Sequence, residues 1–188
     1  MKPIKFLEGE RVYLRPVTEE DFELVYEGKN SAIIVESLFL FSPLTTSQIK
    51  SELQKMTVDE HTKIFTICSS DNDEAIGQTA LVRIDYISRA AVFYIAIYNP
   101  EFWSKGIGGE STELMLKYAF DVLNLNRVQL HVSTKNEKGV KTYKRAGFKI
   151  EGTLRSAMYR DNDYIDFYVM GILREEYYSK IKGLLKIE

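Results

Sequence analysis

The sequence predicts a mixed α/β fold with a mostly antiparallel sheet, organised as a single domain over residues 1–188. Three observations lead to this prediction. Stretches rich in β-branched and aromatic residues recur along the chain, amphipathic helical patterns lie between some of them, and one strand runs through a glycine-rich turn into a long helix. A chain of 188 residues that is 45% hydrophobic can bury a full core.

The N-terminal segment predicts one strand followed by a helix. Residues 10–17 alternate apolar and polar positions, which is the period of a half-buried strand, and the pattern places Tyr13 on the polar side. Thr18 and Asp21 have the spacing of a capping box, so we expect a helix to begin there. Its periodic pattern stops at Gly28 and Asn30.

A second helix is predicted over residues 47–56, with Thr45 and Gln48 as its cap residues. The connection that precedes it, residues 31–46, is unusually apolar. Two interpretations remain open for this connection. It packs in the core, or it builds one wall of a substrate pocket, as long connections often do.

The rest of the chain predicts a meander, a long helix, and a strand, helix and hairpin in that order. The long helix covers residues 110–123, with Leu114, Tyr118 and Val122 on one face. Gly147 stands where a helix commonly ends. The other predicted segments are strands at 63–70, 75–88, 89–98 and 127–134, a short helix at 137–146, a hairpin of 148–160 and 164–173 that turns around Asp161, Asn162 and Asp163, and a loosely docked tail at 179–188 after a domain core of about 10–178.

Charge and composition argue against several classes of partner. The chain has 25 Lys and Arg residues against 27 Asp and Glu residues, a net charge of -2, so no basic field attracts nucleic acid or an anionic membrane. No stretch approaches the ~18 apolar residues of a membrane span, and the N-terminus has no signal-peptide pattern. One cysteine and two histidines predict no metal site and favour a reducing, cytoplasmic location.

Residues 104–111, SKGIGGES, form the segment with the clearest chemical meaning. Glycines at 106, 108 and 109 let the backbone approach a ligand, and the first turn of a helix presents unpaired amide groups. The helix dipole and Lys105 add attraction for a phosphate or pyrophosphate. A glycine-rich turn that binds nothing is the alternative reading of the loop taken alone.

Two other phosphate-binding loops do not fit this segment. A Walker loop has Gly-Lys followed by Ser or Thr, whereas Lys105 precedes the first glycine here. A dinucleotide fingerprint follows the first strand of its fold, whereas roughly five predicted strands precede this loop. ATP binding by a Walker loop and NAD binding are therefore not expected.

Several ordered motifs together resemble one family, the GNAT superfamily of acetyltransferases. The resemblance is greatest to the branch that contains ribosomal-protein N-terminal acetyltransferases and spermidine N-acetyltransferases. It extends roughly over residues 10–178 and is most specific over residues 100–155. The motifs are NPEFWSKGIGGE at 99–110, YAF at 118–120, LNLNRV at 123–128, NEKGVKTYKRAGF at 136–148, EGTLR at 151–155, and YID and MGIL within 164–173.

The resemblance implies a GNAT-like central sheet of six to seven strands with helices on both faces, and acetyl-CoA as cosubstrate. It implies that one strand pairs its backbone with the pantetheine arm, that the loop amides bind the phosphates, and that Asn136 holds the cofactor arm. It also implies that Tyr143 protonates the departing thiolate. Trp103 stands where the family usually has Gln or Arg, which puts in doubt that side-chain contact and not the backbone cradle. The expected cofactor-binding residues are Ile95, Ala96, Ile97, Trp103, Ser104, Lys105, Gly106, Ile107, Gly108, Gly109, Asn136 and Tyr143.

Each of these residues also fits a purely structural role. Ile95, Ala96 and Ile97 fit a buried central strand, Asn136 fits a helix N-cap, and Tyr143 fits packing on a short amphipathic helix.

The base that deprotonates the amine is not identified by the sequence. Many relatives carry a carboxylate on the strand before the glycine loop, and AAVFYIAIY has none. Glu36 and Asp85 are the nearest substitutes, although an ordinary turn or surface charge explains each better. His61 and His131 are not convincing bases, and Cys68 fits a buried small residue better than a nucleophile. Direct acyl transfer is therefore expected.

The function predicted from these features is transfer of an acetyl group from acetyl-CoA to a primary amine. The acceptors, in falling order, are a polyamine such as spermidine, a peptide or protein N-terminus, and an amino-bearing antibiotic. Glu36, Glu52 and Asp85 are candidate carboxylates for a polyamine site. The alternative is a non-catalytic module that binds acyl-CoA or a metabolite. A homodimer is expected only by analogy with the family.

Overall fold

The computed structural model describes residues 4–37 and 42–184, without the side chains at 36, 37 and 184. The chain folds as two compact units. The described residues of the N-terminal unit lie within Met1–Val82 and Tyr94–Met115, and those of the C-terminal unit lie within Arg83–Phe93 and Leu116–Glu188.

The N-terminal unit combines a sheet with three helices and most of a fourth. Its strands follow the order β1, β2, β3, β4 and the second half of β5, and the pairs from β1 to β4 are antiparallel. Ile34, Leu53 and Ala80 belong to the buried cluster between the helices and the strands. The elements are β1 Leu7–Glu8, β2 Val12–Pro16, α1 Asp21–Asn30, α2 Ala32–Ser37, α3 Thr46–Val58, β3 Lys63–Ser69, β4 Ala75–Asp85, β5 Ala90–Ile97, and a single 3-10 turn at Pro100–Phe102.

In the C-terminal unit the strand order is β5, β6, β8 and β7. The pair of β5 with β6 is parallel, and the pairs of β6 with β8 and of β8 with β7 are antiparallel. The sheet is thus mostly antiparallel, as predicted. Helix α4, Ile107–Lys117, lies in the N-terminal unit up to Met115, and its last two residues belong to the C-terminal unit, where it passes into a π-helical turn at Tyr118–Val122. The other elements are β6 Arg127–Ser133, α5 Glu137–Ala146, β7 Lys149–Arg160, β8 Asp163–Leu173 and α6 Arg174–Leu184.

Several local predictions are confirmed. Thr45 and Gln48 form a full capping box, with Thr45 Oγ1 accepting from the Gln48 amide and the Gln48 side chain accepting from the Thr45 amide. Gly147 ends α5 at a φ of 111°, a conformation that favours glycine. The hairpin turns through Asp161 and Asn162, both with positive φ. The sheet has one strand beyond the expected six to seven because the two-residue β1 pairs with β2.

The helix at the N-terminus differs from its prediction. Thr18 is not the N-cap, because Glu20 occupies that position; the Thr18 amide and hydroxyl instead donate to the Asp21 carboxylate, at 2.8 Å and 3.4 Å. The helix ends at Asn30, the second of the two predicted stop residues, and Gly28 lies inside its last turn. A Cβ at Gly28 would lie 2.2 Å from the ring of Tyr98, so the glycine allows close packing there. Tyr13 is buried, and not on a polar face.

Helices α4 and α6 also differ from the sequence prediction. Helix α4 begins at Ile107, three residues earlier than expected. Val122 was predicted to share one helical face with Leu114 and Tyr118. It is 63% exposed, because the π-helical turn changes the residue spacing there. The tail predicted from residue 179 is helical to residue 184, and α6 is anchored by Tyr177, which packs on Phe120 with 5.0 Å between ring centroids.

Candidate functional site

The turn between β5 and α4 contains two residues in the left-handed conformation. Asn99 begins the 3-10 turn, with its side chain accepting from the Glu101 amide at 3.0 Å. Ser104 and Gly106 then adopt positive φ values of 61° and 85°, which reverse the chain direction before α4. Glycine is favoured at 106 because this conformation is costly for residues with a Cβ.

The first turn of α4 has open space beside it. A Cβ built at Gly108 would meet no heavy atom within 4 Å. Because α4 begins at Ile107, Gly108 and Gly109 lie in that first turn, whose amide groups have no partner within the helix. A helix N-terminus with unpaired amides and a positive dipole end suits an anion. The loop can therefore receive a phosphate.

Trp103 and Lys105 are placed by contacts within the loop and its strand. The Trp103 indole N–H donates to the Ile97 carbonyl at 3.0 Å, which ties the loop to the end of β5. Lys105 is exposed, and its ammonium lies 5.4 Å from the centroid of the Phe102 ring. The departure from the family pattern at Trp103 thus gives a contact that holds the loop.

Strand β5 pairs with β6 over a short register. The pairs are Ala90 with Arg127, Ala91 with Val128 and Val92 with Gln129, and the register stops there, before Ile95. On the other edge of β5, the Tyr98 amide donates to the Ile76 carbonyl at 2.9 Å. The segment 95–97 is therefore not part of the pairing with β6, and the splayed strand stays a prediction.

The two predicted residues of α5 lie in the C-terminal unit. Asn136 is exposed and caps α5, accepting from the Gly139 amide at 2.9 Å. The Tyr143 ring is half-buried and packs edge-on against two phenylalanines, with centroid distances of 6.3 Å to Phe93 and 6.0 Å to Phe148. The N-cap reading of Asn136 is confirmed, and the aromatic contacts fix the ring of Tyr143.

The candidate bases have ordinary structural surroundings. Asp85 accepts from the amides of Ile87 and Ser88, at 2.8 Å and 3.0 Å, so it stabilises a turn. His61 and His131 are exposed. Cys68 is fully buried, and burial raises the pKa of its thiol, which disfavours the thiolate. The predicted role of Glu36 falls on a side chain outside the described residues.

Glu52, the remaining candidate for a polyamine site, forms an ion pair. Its carboxylate lies 2.5 Å from the ammonium of Lys29, whose side chain is only 9% exposed, while the Glu52 side chain is 41% exposed.

Sequence reasoning missed a buried polar chain on β4 and β5. The hydroxyls of Tyr94 and Tyr98 lie 3.4 Å apart, and the Tyr98 hydroxyl donates to Gln78 Oε1 at 3.3 Å. Burial raises the pKa of Tyr94 to about 12. The spacing of the tyrosines in FYIAIY was the available signal, because side chains four residues apart in an extended segment lie on the same face.

A second missed feature is the carboxylate of Asp21. It accepts from both Arg15 nitrogens, at 2.6 Å and 2.8 Å, and from the Thr66 hydroxyl at 2.7 Å. Its side chain is 1% exposed. The sequence offered no signal for Thr66, since the contact joins residues that are 45 positions apart.

Comparison with known proteins identifies the family. The family model of the acetyltransferase (GNAT) domain matches residues 11–149. The chain belongs to the GNAT acetyltransferases. It is accordingly an enzyme that transfers an acyl group from acetyl-CoA to an amine.

This GNAT acetyltransferase is similar to several spermidine acetyltransferases. The spermidine N(1)-acetyltransferase of Escherichia coli K12 is 30% identical over 171 residues, which cover 91% of this chain and 90% of that protein. The corresponding protein of Vibrio cholerae is 29% identical over 167 residues, covering 89% of this chain and 95% of its own length. The crystal structure of the Vibrio cholerae spermidine N-acetyltransferase with CoA and spermine matches with a TM-score of 0.84 and 28% identity, over 90% of this chain and 99% of that one.

Two further properties concern metals and membranes. Within the described residues, no group of three or more His, Cys, Asp or Glu side chains could hold a metal ion. None of the helices in the described part of the GNAT acetyltransferase is long and apolar enough to cross a bilayer.

Proposed function

We propose that this GNAT acetyltransferase acetylates a primary amine of a polyamine such as spermidine. The observation that carries the proposal is the similarity to a solved spermidine N-acetyltransferase in complex with CoA and spermine, which covers 90% of this chain at a TM-score of 0.84. The relatives from Escherichia coli and Vibrio cholerae are both named spermidine N(1)-acetyltransferase, and the match covers most of the length of each.

The proposed cofactor position follows the geometry of the loop. The pyrophosphate of acetyl-CoA binds the amides from Lys105 to Gly109, where the first turn of α4 offers unpaired N–H groups and Gly108 leaves space. The pantetheine amides pair with the backbone at 95–97, in the manner of an added strand. Asn136, which caps α5, is a further proposed cofactor-binding residue.

The proposed reaction is a direct attack in a ternary complex. The lone pair of the neutral amine forms a bond to the thioester carbonyl carbon, and the resulting tetrahedral oxyanion collapses with cleavage of the carbon–sulfur bond. The Tyr143 hydroxyl donates its proton to the departing thiolate of CoA. The nitrogen loses its extra proton to water or to a base that the described residues do not identify, and the tyrosinate regains a proton from solvent.

Acceptor choice rests on charge. A polyamine carries several ammonium groups, which carboxylates bind well. Asp85 already caps a turn and Glu52 already pairs with Lys29, so these two described candidates have competing partners. A polyamine ammonium would replace the Lys29 ammonium at Glu52, whose side chain is 41% exposed.

Thiol release from acetyl-CoA by the purified protein tests the proposal. The acceptor panel holds spermidine, spermine, short peptides with free N-termini and aminoglycosides, and a colorimetric thiol reagent reports CoA. We expect turnover with spermidine or spermine. Turnover with peptides or aminoglycosides alone would reject the polyamine as acceptor. Measurable CoA binding without turnover on any amine would favour the non-catalytic module.

A cytoplasmic location and a homodimeric assembly are part of the same proposal. A single, buried cysteine suits a reducing compartment. The dimer rests on family analogy alone. Light scattering during size-exclusion chromatography tests it, with a mass near 43 kDa, twice the 21.7 kDa chain, as the expected result.

A further inference from the structure

The turn between β1 and β2 is attached to the first turn of α4 in the N-terminal unit. Glu110, in that helical turn, accepts from the Arg11 amide at 2.9 Å through Oε1 and from Arg11 Nη1 at 3.4 Å through Oε2. A Cβ at Gly9 would lie 2.1 Å from Glu110 Oε1, so the carboxylate fills the space that a side chain at Gly9 would need. Gly9, Arg11 and Glu110 therefore interlock.

This attachment places the Arg11 guanidinium beside the glycine loop. Its Nη1 atom lies 3.9 Å from the position of a Cβ at Gly106, and it is the only heavy atom that such a Cβ would meet within 4 Å among the described residues. The side chain of Arg11 is 59% exposed, whereas that of Glu110 is 14% exposed. The guanidinium is therefore exposed next to the glycine loop, and the less exposed Glu110 carboxylate holds it there.

The contact with Glu110 leaves much of the guanidinium available. An arginine has five N–H donors in a rigid planar fork, which matches phosphate oxygens in pairs. The ion pair with Glu110 is long, at 3.4 Å, and is made through one nitrogen. Exposed pairs of this kind contribute little by themselves. Holding the Arg11 side chain in one position costs side-chain entropy and gives little stability. A role in binding a ligand therefore explains this position better.

We propose that Arg11 is a binding residue for the pyrophosphate of acetyl-CoA, supplied by the β1–β2 turn and held over Gly106 by Glu110. The inference rests on the proposed position of the cofactor phosphates on residues 105–109. It adds a fixed cation to a cradle that otherwise relies on backbone amides and on Lys105. Glu110 positions Arg11 and does not contact the cofactor.

The test compares the binding of CoA and of 3′-dephospho-CoA to Arg11→Ala and to the parent protein by calorimetry. We expect the Kd of both ligands to rise by about 10-fold, since a hydrogen bond to a charged group is lost at a partly solvated site. Arg11→Lys should recover part of the affinity, because it keeps the charge and loses the fork.

Lys5→Ala is the matched control, because it removes one positive charge from the same N-terminal hairpin, where Lys5 pairs with Glu8. Its Kd for CoA should stay within twofold of the parent value. A similarly unchanged Kd in Arg11→Ala would overturn the proposal. A loss confined to CoA, with 3′-dephospho-CoA unaffected, would also overturn it, because the guanidinium would then bind the 3′-phosphate.

Two measurements separate a binding role from a structural one and from failure of the proposed function. A higher salt concentration should weaken CoA binding less steeply in Arg11→Ala than in the parent, because one charge contact is gone. A merely structural role would lower the Tm and leave that dependence unchanged. If the parent binds CoA but acetylates no polyamine, the proposed acceptor fails while the role of Arg11 is still tested by the two Kd values.

Discussion

The two units carry the predicted site residues in different ways. In the N-terminal unit, the loop at 103–109 and the strand segment at 95–97 are proposed to act through backbone groups. In the C-terminal unit, the N-cap Asn136 and the α5 residue Tyr143 are proposed to act through their side chains. A backbone site depends on glycines and on the frame that holds the main chain, whereas a side-chain site depends on single functional groups. Substitutions in the two units should therefore separate stability and affinity from turnover.

The largest expected effect concerns the buried ion pair between Arg15 and Asp21 in the N-terminal unit. Asp21→Ala should lower the free energy of unfolding by roughly 3–5 kcal/mol, because it leaves the guanidinium of Arg15 without its partner at a buried pair. Arg15 is 16% exposed, so water moderates the loss and the lower end of the range applies. The urea midpoint measures the change.

Glu23→Ala is the control for Asp21→Ala, since Glu23 is an exposed acid in the first turn of the same helix. Its effect should stay within about 0.5 kcal/mol. A loss below about 1.5 kcal/mol in Asp21→Ala would show that the buried pair does not hold this unit.

The next effect belongs to the C-terminal unit and changes turnover instead of stability. Tyr143→Phe should lower kcat by about 100-fold, since a general acid contributes ~10²–10⁴-fold and water replaces part of it. The ring keeps its edge contacts with Phe93 and Phe148, so the Tm and the Kd for CoA should not change. Stopped assays of thiol release at saturating acetyl-CoA measure kcat.

Tyr159→Phe is the matched control for Tyr143→Phe. Tyr159 is an exposed tyrosine of the same unit, and its hydroxyl donates to Asn162 in the hairpin turn. Its removal should leave kcat within twofold of the parent. An equal kcat in the two variants would remove Tyr143 from the mechanism.

Local chemistry explains which parts of the fold were predictable. The Thr45 capping box, the Gly147 helix end and the 161–162 turn each depend on neighbouring residues, so the sequence contains the full signal. The strand-to-helix glycine turn is equally local. Its prediction differed only in the start of α4, at Ile107.

Long-range contacts explain what the sequence could not predict. Tyr13 is buried because the neighbouring structure covers both faces of β2, which a period-2 pattern does not reveal. Gly28 looked like a stop signal, although the ring of Tyr98, seventy positions away, requires a glycine there. Arg11 and Glu110 are 99 residues apart, so no spacing rule relates them. The site residues themselves came from family resemblance, and their roles stay predictions.

Two glycine substitutions test the proposed phosphate position at the start of α4. Gly106→Ala should cost about 1–2 kcal/mol of stability, because Gly106 has a φ of 85°. Gly108→Ala should be neutral or stabilising by up to about 1 kcal/mol, because it improves helix propensity in open space. Both should weaken CoA binding, by about 10-fold, because the methyl group at 108 occupies the proposed phosphate position and the strain at 106 moves the loop.

Thermal unfolding and CoA titration of the two glycine variants check these outcomes. Stability should change in opposite directions while affinity falls in both. Undiminished CoA binding in a stable Gly108→Ala protein would show that the phosphate does not occupy the space beside the first turn of α4.

The smallest expected effect is a pH dependence in the sheet of the C-terminal unit. The Arg127 guanidinium, by donating a hydrogen bond, lowers the pKa of the Glu151 carboxyl below its ordinary value of 4.5. A lowered carboxyl pKa means that the pair stabilises the fold fully above the unfolded pKa and that this stability is lost as the pH falls through the folded pKa. Because Glu151 is 35% exposed, the contribution is at most about 1 kcal/mol.

Glu151→Gln removes the titration and keeps the shape of the side chain. Urea midpoints at pH 7, 5, 4 and 3 should show the parent more stable than the variant at neutral pH and equal to it at acid pH. Glu137→Gln, an exposed carboxyl that lies 3.9 Å from Lys141, serves as control and should differ little from the parent at any pH. A difference between parent and Glu151→Gln that stays constant from pH 7 to pH 3 would mean that packing over Gly171, and not charge, accounts for the role of Glu151, because its carboxylate oxygens would lie 2.6 Å from a Cβ at that glycine.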